Sequence, residues 1–242
     1  MLAKKSVFKL EEELDPGLIT YLLNRNKMNS YTFYFQPAED VSFVGNSPEL
    51  LYKRDGDKIV SEALAGTRER GETDVDDTRI EKELLSSVKD RDEHKIVQDY
   101  IQETLIDLSK TELEESNVTV LKLPKVQHLF CRMSSVLKAG ISDFDILSSL
   151  HPTPAVGGYP KEASLERIAE IEKFNRGWYG GAIGWIGNGS AEFAVGIRSG
   201  LICNSELTLF AGAGIVGGSD PEEEWNETEN KMLNFLRFFE IK

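Results

Sequence analysis

Apolar residues recur at three- and four-residue spacing in four stretches of this chain, which predicts helices over 15–27, 79–109, 161–173 and 220–238. Shorter runs rich in β-branched and aromatic residues lie between them and predict strands at Tyr31–Phe35, Lys58–Leu64, Val126–Met133, Gly181–Trp185, Glu192–Arg198 and Leu207–Ala211. Several of these strands follow one another with no helix between, so the order reads as α+β with antiparallel pairing. The run over 181–211 reads as a meander. Arg68–Asp77 and Leu113–Ser116 are polar enough to be loops, and no internal repeat is present, which makes one domain the simplest organisation. Ser6-Val7-Phe8 looks like a strand beginning almost at residue 1, with nothing before it to pair against. Such a start implies a chain that has lost an N-terminal portion.

Composition narrows the partners. With 40% hydrophobic and 29% charged residues, the 242-residue chain can build a sizeable core. Its net charge of -13 repels phosphate backbones and anionic lipid, and no basic patch offsets it, so neither nucleic acid nor a membrane is an expected partner. No apolar run approaches a membrane span, and Met1–Lys5 lacks the apolar stretch of a signal peptide. Cys131 and Cys203 stand singly in apolar runs, without CxxC or metal spacing, and read as buried thiols in a reducing cytoplasm.

The most informative chemistry lies near the C-terminus. Leu209–Ser219 is a glycine-rich apolar strand and turn, followed by an acidic helix in which Glu224, Glu227 and Lys231 fall at i, i+3 and i+7 and share one face. Bare amides, a helix N-terminus and spaced carboxylates together suit an anionic ligand and a hard cation. A solvated first turn capped by Ser219 or Asp220, with Pro221 as first helical residue, accounts equally well for Glu222 and Glu223; for Glu224 and Glu227 the two readings stand level.

Other segments carry similar alternatives. Gly45–Glu49 is a turn that sets a carboxylate beside Leu50 and Leu51, either a general acid of raised pKa or a surface turn. Ala63–Arg68 ends a strand at Gly66, where backbone can approach a ligand and Thr67 offers a hydroxyl; alone it is a turn. Lys89–His94 is a dense charge run, more often a solvated helix face, and Glu93 gains weight only if another element brings carboxylates to it. His94 and His128 lack partners at metal spacing and read as partly buried histidines. His151–Pro160 is a rigid loop with amides free to face a ligand. Arg198, at the end of an apolar strand, is either a carboxylate clamp or half of a surface ion pair.

Taken in order, the segments SPELL, LAGT, KDRDEH, HPTPAVGGYP, RGWYGGAIGW, AEFAVGIRS, LFAGAGIVGGSDPEEEW and NK resemble the chorismate-utilising enzymes over essentially the whole chain. Within that family they are most similar to the isochorismate synthases, because the anthranilate and aminodeoxychorismate synthases usually read HPTGTVTGAPK at the proline-rich loop and carry Thr where this chain has Ala155. The resemblance implies two packed, mostly antiparallel sheets flanked by helices, an anthranilate synthase component I-like fold with the site in a cleft between them.

It also implies roles for particular residues. Glu93, Glu227 and Glu224 would bind Mg2+, and the ion would grip the ring carboxylate of chorismate. Arg198, Tyr179, Lys231 and the amides of Gly212 and Gly214 would hold the carboxylates, while Gly66, Thr67, His151 and Ala155 would line the ring. Glu49 matches the acid that protonates the departing C4 hydroxyl. Lys5 matches the base that activates water for attack at C2, or Lys4 under a one-residue shift that would reverse its face. The chain departs from the pattern at Leu10, or Lys9 under the shift, where that strand usually carries Arg. A salicylate synthase, an amine-transferring relative that works with a glutaminase, and a truncated remnant that binds chorismate without turnover are the alternatives; the residues name no protein partner.

Overall fold

Alternating apolar residues along β5 (Lys58–Glu69) and β8 (Val126–Val136) build the longest ladder of the fold, an antiparallel pair whose one face is closed by a helix. That helix, α3 (Val88–Leu108), offers Val97, Ile101, Leu105 and Leu108 at near four-residue spacing to Ile59, Ala63, Cys131 and Met133 of the strands. The computed structural model describes residues 1–25 and 30–236.

The architecture is α+β with two antiparallel sheets, as the sequence implies. One sheet runs β1 (Leu2–Lys9), β12 (Glu206–Ala213), β11 (Ser199–Cys203), β3 (Val41–Ser47) and β2 (Tyr31–Ala38). The other runs β6 (Glu114–Glu115), β8, β5, β4 (Leu50–Asp55), β10 (Ser190–Val195) and β9 (Ala182–Ile186), with β7 (Thr119–Lys122) also on β8. A second core joins α1 (Pro16–Arg25) and α7 (Pro221–Leu236) to the first sheet through Ile19, Leu23, Leu207, Leu209, Met232 and Phe235. The remaining helices are α2 (Asp74–Ser86), α4 (Asp143–Leu150), the single turn α5 (Pro154–Gly157) and α6 (Lys161–Ile171). No described helix is long and apolar enough to cross a membrane.

Several expectations need correction. The helix expected over 79–109 is two helices broken at Ser87, whose extended backbone and hydroxyl, accepting from the Asp90 amide, cap the second. Its first half starts at Asp74, inside the expected loop Arg68–Asp77, where the Thr73 hydroxyl accepts from the Asp76 amide, and β5 continues to Glu69 at the other side of that loop. The expected loop Leu113–Ser116 contains β6. Residues 26–27 and 237–238 of the two terminal helices predicted lie outside the described residues. The 181–211 run is no single meander: β9–β10 form a hairpin in one sheet and β11–β12 in the other, because the chain crosses between sheets at Gly196–Arg198. The opening strand does have a partner, supplied from the far end of the chain, with Leu2 opposite Ala213 and Lys9 opposite Glu206. Cys131 is buried, whereas Cys203 is half-buried.

Leu105 is fully buried between α3 and the sheet. Leu105→Ala is expected to lower the unfolding free energy by about 2–5 kcal/mol, read as a reduced urea midpoint with unchanged slope.

Candidate active site

The two sheets and the helices α3 and α7 enclose a cavity in which the separate sequence motifs meet. Its walls are Pro48 and Glu49 of the turn before β4, Leu64–Thr67 of β5, Ala155 and Val156 of α5, Tyr179, Arg198 at the sheet crossover, Phe210–Gly212 and Gly214 at the end of β12, Glu93 and Lys231. A second cavity adjoins it and shares Thr67, Glu93 and Lys231; Lys89, Asp90, Glu224 and Glu227 complete its acidic side.

Glu49 sits in the first cavity as a fully buried carboxyl. The Glu49 amide donates to the Ser47 hydroxyl at 3.2 Å and its carbonyl accepts from the Val195 amide at 3.0 Å, so the turn is locked to both neighbouring strands. Burial pushes its pKa up to about 7 against a weak hydrogen bond from Thr153 at 3.4 Å and the opposing charge of Lys231. A carboxyl balanced between its two protonation states near neutrality is suited to donate a proton.

Cationic and hydroxyl side chains line the same cavity. Arg198 has a φ of +50° at the crossover, and its half-buried side chain lines the cavity. Its guanidinium makes no hydrogen bond to protein among the described residues, and burial lowers its pKa while the charges of Glu227 and Tyr179 oppose that shift. Tyr179 stacks on Phe210 at 5.2 Å with planes 16° apart, and burial raises its hydroxyl pKa. Lys231 donates to the Gly212 carbonyl at 2.7 Å and pairs with Glu227 at 2.5 Å. It is therefore the Gly212 carbonyl, where the sequence pointed to the amide, that is engaged inside the site.

Two glycines are demanded by close approach. Gly66 lies in a bulge of β5 with φ +69°, and a Cβ there would stand 3.2 Å from Asp90. Any side chain on Gly214 would overlap the Glu93 carboxylate. That carboxylate holds its proton up to about 7, first because it is buried and next because Glu227 lies close. Lys89 bridges α3 to Glu224 on α7 at 2.5 Å. The acidic motifs of the two helices thus share one cavity, with two lysines on two of the three carboxylates. Among the described residues, no group of three or more acidic, histidine or cysteine side chains is arranged to hold a metal ion. At the start of α7 Asp220 is the cap, accepting from the amides of Glu222 and Glu223.

Three expected residues fall elsewhere. Lys5 is exposed, opposite Phe210 in the register, and does not line the cavity. Lys4 points to the other face of the strand, where it pairs with Glu229 and lies 4.0 Å over the Trp225 ring. His151 is the C-cap of α4; its carbonyl accepts from Lys161 at 2.9 Å and its ring stays outside the cavity wall. Conversely, sequence reasoning passed over His128, which is buried and lines the cavity. Its Nδ1 lies 3.0 Å from the Thr67 hydroxyl, its Nε2 is buried without a partner, and burial with Arg198 and Lys231 nearby keeps it neutral. A signal existed in the polar pair Gln127-His128 directly before the apolar run Leu129-Phe130-Cys131. His94, also fully buried, reaches the Ala63 carbonyl at 3.3 Å.

A profile described as chorismate binding enzyme matches residues 1–240, and the chain belongs to that family. It is 40% identical over 243 residues to the chloroplastic isochorismate synthase of Catharanthus roseus, covering 100% of this chain and 42% of that protein. It is 45% identical over 222 residues to an isochorismate synthase of Bacillus subtilis, covering 91% and 46%. Among solved structures, a putative 2,3-dihydroxybenzoate-specific isochorismate synthase from Bacillus anthracis superposes with a TM-score of 0.94 at 34% identity, covering 100% of this chain and 66% of that one. The chain spans about half the length of the curated relatives it matches.

The Glu49 pKa carries a stability consequence. A folded-state value of about 7 against the usual 4.5 means that the native state holds this proton more tightly than the unfolded chain does, so the group costs stability as pH rises from 4.5 to 7. Glu49→Gln removes that cost: relative to the parent it should gain up to about 3 kcal/mol at pH 8 and little at pH 4, measured by urea unfolding at both pH values.

Proposed function

We propose that this chain performs the isochorismate synthase reaction, in which water adds at ring C2 of chorismate, the C4 hydroxyl leaves and the double bonds shift between them. The observation that carries this reading is the buried, proton-holding Glu49 in one cavity with Arg198, Lys231 and Tyr179, an arrangement matched to a dicarboxylate whose leaving hydroxyl needs a proton. Arg198, with its free guanidinium, takes one carboxylate in a fork, and Lys231 and the Tyr179 hydroxyl add donors. Ala155 and Val156 bound the ring, and the Thr67–His128 pair presents polar atoms along the same wall. Glu49 protonates the leaving hydroxyl.

Magnesium fits the acidic side of the site. Glu93, Glu224 and Glu227 line one cavity, and a divalent cation there would take over the compensation now given by Lys89, Lys231 and the Glu93 proton, which supports this reading. When bound there, Mg2+ supplies a hard positive charge that holds and polarises the ring carboxylate.

The placement of the lysines favours a second reading. With Lys5 exposed and Lys4 paired to Glu229, neither stands at the cavity to activate water, so a chain that binds chorismate without turnover is the rival. Purified protein with chorismate and Mg2+ is expected to yield isochorismate by chromatography; binding without product establishes the rival, and absence of both removes the two readings together. Salicylate, or an aminated product formed only with ammonia, would move the assignment to a sister enzyme. Glu49→Gln should lower kcat by about 10²-fold or more, and the parent rate should fall as pH rises past about 7, where the acid loses its proton. Loss of turnover in Lys5→Ala or in Lys4→Ala identifies the base. Mg2+ alone should raise the melting temperature with increasing concentration, and Glu93→Ala or Glu227→Ala should abolish that rise.

A further inference from the structure

One shielded ion pair outside the cavity wall is bonded to that wall at Val156 and to the neighbouring strand β1 at Ala3. Glu172 closes α6 with its side chain almost wholly buried. One carboxylate oxygen accepts from the Ala3 amide of β1 at 2.7 Å and from Arg176 Nη2 at 2.6 Å, and the other accepts from Arg176 Nε at 2.7 Å. The guanidinium then uses Nη1 to reach the Val156 carbonyl at 2.7 Å, and the Arg176 carbonyl accepts from the Tyr179 amide at 3.0 Å. Val156 and Tyr179 both line the cavity, while β1 pairs along the strand that carries Phe210–Gly212.

We propose that Glu172 and Arg176 are positioning residues that set the span of the substrate cavity by holding Val156 and β1 at fixed mutual distance, at the foot of the backbone turn that carries Tyr179. The inference rests on the chorismate reading given above. The planar guanidinium is essential to it, because only a fork engages both carboxylate oxygens and a separate carbonyl at once; a lysine keeps the charge but reaches fewer of these atoms. Glu49 is locked independently by Ser47 and Val195, so disturbing the pair moves the walls that grip substrate more than the acid that acts on it.

A second bidentate pair provides the control. Arg54 and Asp143 are similarly shielded, with bonds of 2.8 and 2.6 Å, but lie outside the cavity wall. Arg176→Lys is expected to weaken chorismate binding, measured by calorimetry, by about tenfold or more, with kcat at saturation much less affected, which is the signature of lost binding held in common by ground and transition states. Arg54→Lys should lower the melting temperature comparably while leaving the dissociation constant within about twofold. Unchanged affinity in Arg176→Lys, or equal loss in Arg54→Lys, overturns the inference. Amide hydrogen exchange judges it even if the parent binds no chorismate, an outcome that removes the functional reading instead. Arg176→Lys and Glu172→Gln should speed exchange at Ala3 and across residues 153–158 together, and no change there, or a uniform rise over the whole chain, counts against the proposal.

Discussion

Crowding of negative charge between α3 and α7 is the constraint around which the cavity is organised. Glu93 on one helix meets Glu227 on the other, and burial denies Glu93 most of the water that would screen the two charges. The protein answers with Lys89 on Glu224, Lys231 on Glu227 and a proton retained on Glu93. Gly214 is glycine because the Glu93 carboxylate fills the space a side chain would need. The position of β12, the choice of residues at its end and the pairing of the helices therefore follow from accommodating one set of carboxylates.

Much of the fold was legible because its longest elements are locally consistent. Val97, Ile101, Leu105 and Leu108 announce a helix, and the short apolar and aromatic run within Val126–Met133 announces a strand, before any partner is known. The errors fall where tertiary contacts decide. Nothing periodic marks Ser87 as a break, since a serine mid-run is tolerated in helices; it caps because the chain turns there to lay α3 on the sheet. Val41–Ser47 and Leu50–Asp55 are mostly buried strands interrupted by a proline turn, and short apolar runs of that kind carry no decisive period. The separation of β9–β10 from β11–β12 hinges on the backbone at Arg198, a left-handed conformation that residue identity does not disclose.

The site shows the same division. Motif spacing placed Glu93, Glu224, Glu227 and Lys231 on helix faces, with Lys231 in reach of Glu227 at i,i+4, and resemblance grouped them, but the Lys89–Glu224 pair, 135 positions apart in sequence, depended on how the two helices approach. The lysines of β1 were the least legible. Adjacent strand residues face opposite ways, so Lys4 turns toward Trp225 and Glu229 while Lys5 turns to solvent on the other side. His128 reads in the sequence as an ordinary partly buried histidine because it bears no metal spacing, and its place at the cavity arises from lying across the ladder from Thr67.

Glu49 and Glu93 end near the same pKa for different reasons, and the difference links the two cavities. Glu49 is raised by burial alone, against the pull of Lys231, whereas Glu93 is raised by burial and by neighbouring carboxylates, against the pull of the same lysine. One ammonium thus opposes both shifts while it pairs with Glu227 and the Gly212 carbonyl. Any cation that neutralises Glu227 weakens the hold on Lys231, and any anion that draws Lys231 toward Glu49 reduces what restrains the acidic cluster. Charge placed at either end is consequently felt at the other through a single side chain, Lys231, which lines both cavities.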